Sequence, residues 1–139
     1  TFPRALLVWV ILFAAAFANG ALREFAYSGP LGELRAHQVS CGIGILLFAG
    51  IIWRAARAWP LRSRRHALAT GAWWTALTIA WEFLFGRFVM GHPWRRLLAD
   101  YALWNGRLWP VVLLSLLLLP VLVHEFIRRR SLPAPPPYR

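Results

Sequence analysis

LWPVVLLSLLLLPVLVHEF, residues Leu108 to Phe126, decides the fold. It holds one carboxylate, at its far edge, and is followed, after Ile127, by Arg128, Arg129 and Arg130. About 20 helical residues cross roughly 30 Å of hydrocarbon, and only a helix or a closed barrel satisfies the backbone there. A run of this length closed by a cluster of arginines therefore reads as a membrane span.

Three further runs upstream have the same character: about Ala5 to Leu22, about Gln38 to Trp53 and about Ala67 to Phe88. The second is short, and Arg54 and Arg57 would lengthen it by extending their guanidinium groups to the interface. Arg4 ahead of Ala5 to Phe17 has the look of a signal peptide, but a retained first span with its initiator methionine removed is the simpler expectation. The expected fold class is all-α, an integral membrane four-helix bundle. Residues 1–130 would form one four-span domain (spans about 5–22, 38–53, 67–88 and 108–126), and residues 131–139 a proline-rich cytoplasmic tail. Between spans three and four, Pro93 would start a short interfacial helix with Trp94, Leu97, Leu98, Tyr101 and Trp104 along one face.

The composition agrees. Of 139 residues 59% are hydrophobic, mean hydropathy is +0.51, and all 16 basic residues are arginine against 5 acidic ones. In a soluble protein a net charge of +11 would point to nucleic acid. Here the arginines flank the apolar runs, so the charge reads as topology and no nucleic-acid partner is expected. With both termini cytoplasmic, 10 arginines lie inside and 6 outside, which favours that orientation. The single cysteine, Cys41, excludes an intrachain disulfide and a multi-thiolate zinc site.

Glu82 is the polar residue that the membrane must tolerate, about 22 Å along its helix from Ala67 at 1.5 Å per residue. Asn19 reaches a similar depth on the first span. Gly71, Thr75, Thr78, Glu82 and Gly86 recur every three or four residues, a small and hydroxylated face suited to close helix packing. Trp73, Trp74, Trp81 and Phe88 would face lipid or a partner. A structural polar cluster of Asn19, Arg23, Glu24, Glu82, Arg87 and Arg107 is expected, with Glu82 ion-paired to Arg23, Arg87 or Arg107. The functional reading of Glu82 is a carboxylate that exchanges protons or contacts a cation.

Of the four histidines, His66 and His124 are the pair that would lie at one depth, so haem or bacteriochlorophyll ligation falls to them if to any. Satisfied interfacial histidines are commoner, and no cofactor or metal is expected; His37, His92 and Cys41 match no closed zinc pattern. No Walker loop, dinucleotide fingerprint, nucleophile elbow or HExxH helix is present, and the chain is not expected to be an enzyme.

The segments NGALRE (Asn19 to Glu24), LTIAWEFLFGRFVMGHPWRRLLADY (Leu77 to Tyr101) and NGRLW (Asn105 to Trp109) resemble those of a family of small, uncharacterised bacterial inner-membrane proteins. The resemblance implies four transmembrane helices and a tie between Arg23, Glu24 and Glu82, and it carries no catalytic residue. The tail after Arg130 lies outside it. The leading expectation is thus an accessory or structural subunit of a larger membrane complex, with a respiratory or photosynthetic electron-transfer assembly as candidate host. Other subunits would meet it through Pro133, Pro135, Pro136, Pro137 and Tyr138, a polyproline II segment of the kind that docks in aromatic grooves. The alternative is a small oligomeric proton-coupled transporter using Glu82, reminiscent of the small multidrug exporters but with its carboxylate on the third span.

Overall fold

The computed structural model describes residues 2–99, 101–102 and 106–137, without the side chain of Phe2. Among these residues every regular element is helical and no strand occurs. Helix α1 (Phe2–Leu22) runs through a π turn (Arg23–Tyr27) into the single turn α2 (Ser28–Leu31). It is followed by α3 (Glu33–Ala58), α4 (Arg64–Leu84) with its own π turn (Phe85–Val89), the short α5 (Trp94–Ala99) and α6 (Trp109–Arg130).

The boundaries follow from local chemistry. Gly32 takes φ 81°, a left-handed conformation that side chains resist, and this lets the chain reverse from α2 into α3. Helix α3 stops at Trp59, the residue before Pro60, whose ring disfavours helical backbone at its predecessor. Ser63 then caps α4, its Oγ accepting from the His66 N–H at 3.1 Å. Pro110 stands in the first turn of α6, where a missing N–H costs nothing. Helices α1, α3 and α6 are longer than their expected spans, α3 most of all: it begins at Glu33 and takes Arg54 and Arg57 into its last turns, whereas α4 starts early at Arg64 and gives way to its π turn after Leu84.

Three stretches are long and apolar enough to cross a membrane: Pro3–Leu31, Glu33–Ala58 and Trp109–Arg130. The third expected span does form a helix, but α4 does not reach that apolar content. Its tryptophans, its threonines and Glu82 occupy positions that in α6 are leucine and valine. Its length, 21 residues, still matches that of α1.

Helix α4 packs chiefly on α6, α6 on α3 and α3 on α1, whereas α1 and α4 hardly meet along their backbones. Leu12, Ile52, Leu116 and Pro120 are fully buried at the centre, with Val8, Phe48 and Trp74 around them. Trp74 thus corrects the expectation of an outward tryptophan: it is 4% exposed, and its indole donates to the Ala5 carbonyl at 2.9 Å. Trp81 and Phe88 do face outward. Leu46, Leu122 and Phe17 are also mainly exposed, an apolar exterior suited to hydrocarbon and costly in water.

The closest approach is between α4 and α6. Pro120 has no N–H to offer the Leu116 carbonyl, so the backbone edge of α6 is under-bonded there. Gly71 sits against that edge, and a Cβ at this position would collide with the Leu117 carbonyl. The bare Cα lets the two helices come together over a stretch that any side chain would hold apart.

Helix α5 starts next to Pro93 as expected, but it does not simply lie on the surface. Leu97 is buried against Gly86, Leu98 is exposed, and the chain beyond brings Tyr101 back to α4. The expected place of Trp104 lies outside the described residues.

Candidate functional site, a cleft holding Glu82

The bundle has two ends. The start of α1, the end of α3, the start of α4 and the end of α6 share one, the terminal end. The π turns, α2, α5 and the connection into α6 share the other, the loop end.

Toward the loop end the gap between α1 and α4 widens into a cavity of about 430 Å³. Trp9, Phe13, Trp81, Phe85 and Trp109 supply aromatic walls, and Glu82 lies among them. Side chains bridge what the backbones leave apart. Trp9 Nε1 donates to Thr78 Oγ1 at 3.1 Å, and the Phe13 ring meets Trp81 edge-on with centroids 5.2 Å apart. Trp81 stacks in turn on Phe85 at 5.2 Å.

Two neutral donors hold the carboxylate. Tyr101 Oη donates to Glu82 Oε2 at 2.7 Å, and Trp109 Nε1 donates to the same oxygen at 2.8 Å. Two short hydrogen bonds converging on one oxygen fix the group in the cleft. The expected arginine partners are engaged elsewhere. Arg23 pairs with Glu24 at 3.5 Å, Arg107 with Glu33 at 3.4 Å, and the Arg87 guanidinium lies 5.6 Å from the centre of the Trp94 ring. Glu24 and Glu33 are largely exposed, so these ion pairs contribute little.

Asn19 also goes elsewhere. It is buried, and its Nδ2 donates to the Ser40 carbonyl on α3 at 2.8 Å. Nearby, the Leu108 N–H donates to His37 Nε2 at 3.2 Å, Cys41 Sγ lies 3.6 Å from the same nitrogen, and Gln38 Nε2 donates to the Gly106 carbonyl at 3.0 Å. The six residues expected in one cluster are therefore divided. Asn19 joins a polar layer that ties α1 and the entry of α6 to α3, Glu82 sits in the cleft, and the three arginines, with Glu24, make their contacts outside it.

His66 lines a second cavity, at the terminal end, and its Nδ1 accepts from the Arg62 N–H at 3.3 Å. It is the one imidazole among the described residues lining that cavity; His124 does not line it. His92 lines the Glu82 cleft. Ser131 closes α6 by donating to the carbonyls of Ile127 and Arg128, and beyond it Leu132 to Pro137 are exposed. The expected contact through Tyr138 lies outside the described residues.

Tyr101, Trp109, His37 and Gln38 were not expected at a site. Trp109 had a usable signal, since an indole N–H near a span seeks an acceptor and Glu82 is the nearest one in depth. Tyr101 had none, because the return of the chain after α5 is a tertiary event. No protein-family model matches the chain, nor does any curated protein or any solved structure.

Proposed function

We propose that this chain is a four-span protein of the bacterial inner membrane, with both termini cytoplasmic, which serves as an accessory subunit of a larger membrane assembly. Its kinship would be with the small inner-membrane proteins that its NGALRE and NGRLW segments resemble. Three helices have the length and apolar content to span. Helix α4 lies along α6 with comparable length, so a bilayer that surrounds α6 also surrounds α4.

The observation that carries the subunit role is the open side of the bundle. Glu82 lines a cavity where α1 and α4 leave a gap, and that gap would face hydrocarbon. An intramembrane carboxylate beside lipid is costly, whereas one covered by protein is tolerated. A partner helix laid over the aromatic rim, where Phe17, Trp81 and Phe85 are exposed, would close the gap. Purification under mild detergent with identification of co-migrating proteins tests this. A partner that is lost on replacing Phe17 and Trp81 by alanine is the expected result, and a chain that runs alone from native membranes would refute it. An absorption spectrum of the same sample tests haem or bacteriochlorophyll at His66 or His124.

The same cleft favours one second reading. An aromatic box with a carboxylate suits a lipophilic cation through charge and ring quadrupole together. In that case the chain acts as a small oligomeric proton-coupled transporter using Glu82. Proton-driven uptake of such a cation by proteoliposomes, abolished by Glu82→Gln, would decide for transport.

A further inference from the structure

We propose that the terminal-end cavity, bounded by the first turn of α1, the end of α3 and the start of α4, seats the headgroup phosphate of an anionic phospholipid. The cavity measures about 210 Å³. Arg4, Arg62 and His66 line it, while Val8, Ile52 and Leu61 give it an apolar interior.

Two of the three donors, Arg4 and His66, are held in place. The Arg4 guanidinium lies over the Trp59 ring, 5.6 Å from its centre, so a flexible side chain is fixed beside the cavity. His66 Nδ1 accepts from the Arg62 backbone, so a neutral ring carries its proton on Nε2 and the remaining nitrogen is a donor. Thr70 Oγ1 and Trp74 Nε1 also line the cavity, but both donate to backbone carbonyls, those of His66 at 2.9 Å and Ala5 at 2.9 Å. The donors left for a ligand are thus the arginines and His66, a set matched to phosphate oxygens.

The field selects the same ligand. Glu125 is the one carboxylate among the described residues at this end, and Arg128 pairs with it at 3.0 Å. Arginines at the ends of α1, α3, α4 and α6 leave the region strongly positive, the condition under which juxtamembrane basic clusters gather anionic lipid. A soluble phosphate would satisfy the charge but leave the apolar interior empty. A phospholipid fills both, with its phosphate at Arg4, Arg62 and His66, its glycerol against the apolar lining and its chains outside the bundle in the hydrocarbon.

This inference shares with the proposed function only the membrane location and makes no use of the Glu82 cleft. The test uses the full chain in neutral detergent, first reconstituted into phosphatidylcholine nanodiscs; failure of that step refutes the membrane reading itself. Native mass spectrometry then follows lipid retention on titration with phosphatidylglycerol or phosphatidylcholine, and thermal unfolding follows inorganic phosphate. Saturable retention of phosphatidylglycerol over phosphatidylcholine is expected. Arg4→Gln with Arg62→Gln should weaken it about thirtyfold. Arg129→Gln with Arg130→Gln removes the same charge at the same end and should change it by less than about twofold. Glu82→Gln should leave it unchanged. Equal retention of both lipids, equal loss in the two double variants, or full protection by inorganic phosphate alone would each overturn the assignment.

Discussion

Tyr101 Oη donates to Glu82 Oε2 across 19 residues of chain and so ties the segment after α5 to α4. Trp109 Nε1, at the first turn of α6, reaches the same oxygen. One carboxylate thus gathers two elements that share no helix. Tyr101→Phe removes one donor and should cost about 1 to 2 kcal/mol, the lower part of the range for a hydrogen bond to a charged group because the site is only partly buried. Trp109→Phe should cost a similar amount. The double variant should cost more than the two together, because the two donors share one carboxylate oxygen. Unfolding in detergent measures all three, and strict additivity would show that the two donors act independently.

Gly71 and Gly50 make a matched pair. Gly71→Ala puts a methyl into the backbone of α6 at Leu117, where the helices must part, and should destabilise by about 1 to 3 kcal/mol. Gly50, within α3, has nothing within 4 Å of where a Cβ would stand. Gly50→Ala should therefore stabilise by about 0.5 to 1 kcal/mol through helix propensity. Gly86→Ala falls between them, because the Cβ meets the end of the Leu97 side chain, which can turn aside. Thermal unfolding of the three variants should rank them in that order.

Reporter fusions after Ser63 and at the C-terminus should both report the cytoplasmic side. The structure puts Ser63 and the end of α6 at one end of the bundle, and the arginines are concentrated at the same end. A signal from opposite sides would mean that one helix fails to cross, and α4, the least apolar of the long helices, is the first to suspect.

The helices were legible because apolar runs of spanning length leave few alternatives. The small face of α4 was legible too, since Gly71 and Gly86 recur at helical spacing and both are buried. The partners of Glu82 were not. Periodicity gives a residue its face and depth, but whether an arginine or a tyrosine reaches it depends on how the loop-end connection folds back. Arg107 stands close in sequence to Trp109, yet it turns out to Glu33 while the indole turns in. Trp74 was misjudged for a related reason. Its neighbour Trp73 is half-buried against the same core, and the position of α1, whose Ala5 carbonyl accepts from Trp74, decides which of the two is covered fully.

The tail should be dispensable for folding and needed for assembly. Ser131 ends α6 cleanly: its N–H reaches the Ile127 carbonyl at 3.1 Å and its Oγ the same carbonyl at 3.0 Å. A chain stopped after Leu132 therefore keeps every hydrogen bond that closes the helix. Beyond it Pro133, Pro135, Pro136 and Pro137 are exposed, and their rings preclude both helix and sheet pairing. Such a stretch is already close to the extended shape in which proline-rich segments bind aromatic grooves, so docking costs it little conformational entropy. Deleting Pro133 to Arg139 should leave thermal unfolding unchanged and lower the recovery of a partner in mild detergent. A truncated chain that retains its partner at full occupancy would remove the tail from the subunit reading and leave the Glu82 cleft as its sole support. A chain that melts earlier would show instead that the tail braces its own bundle.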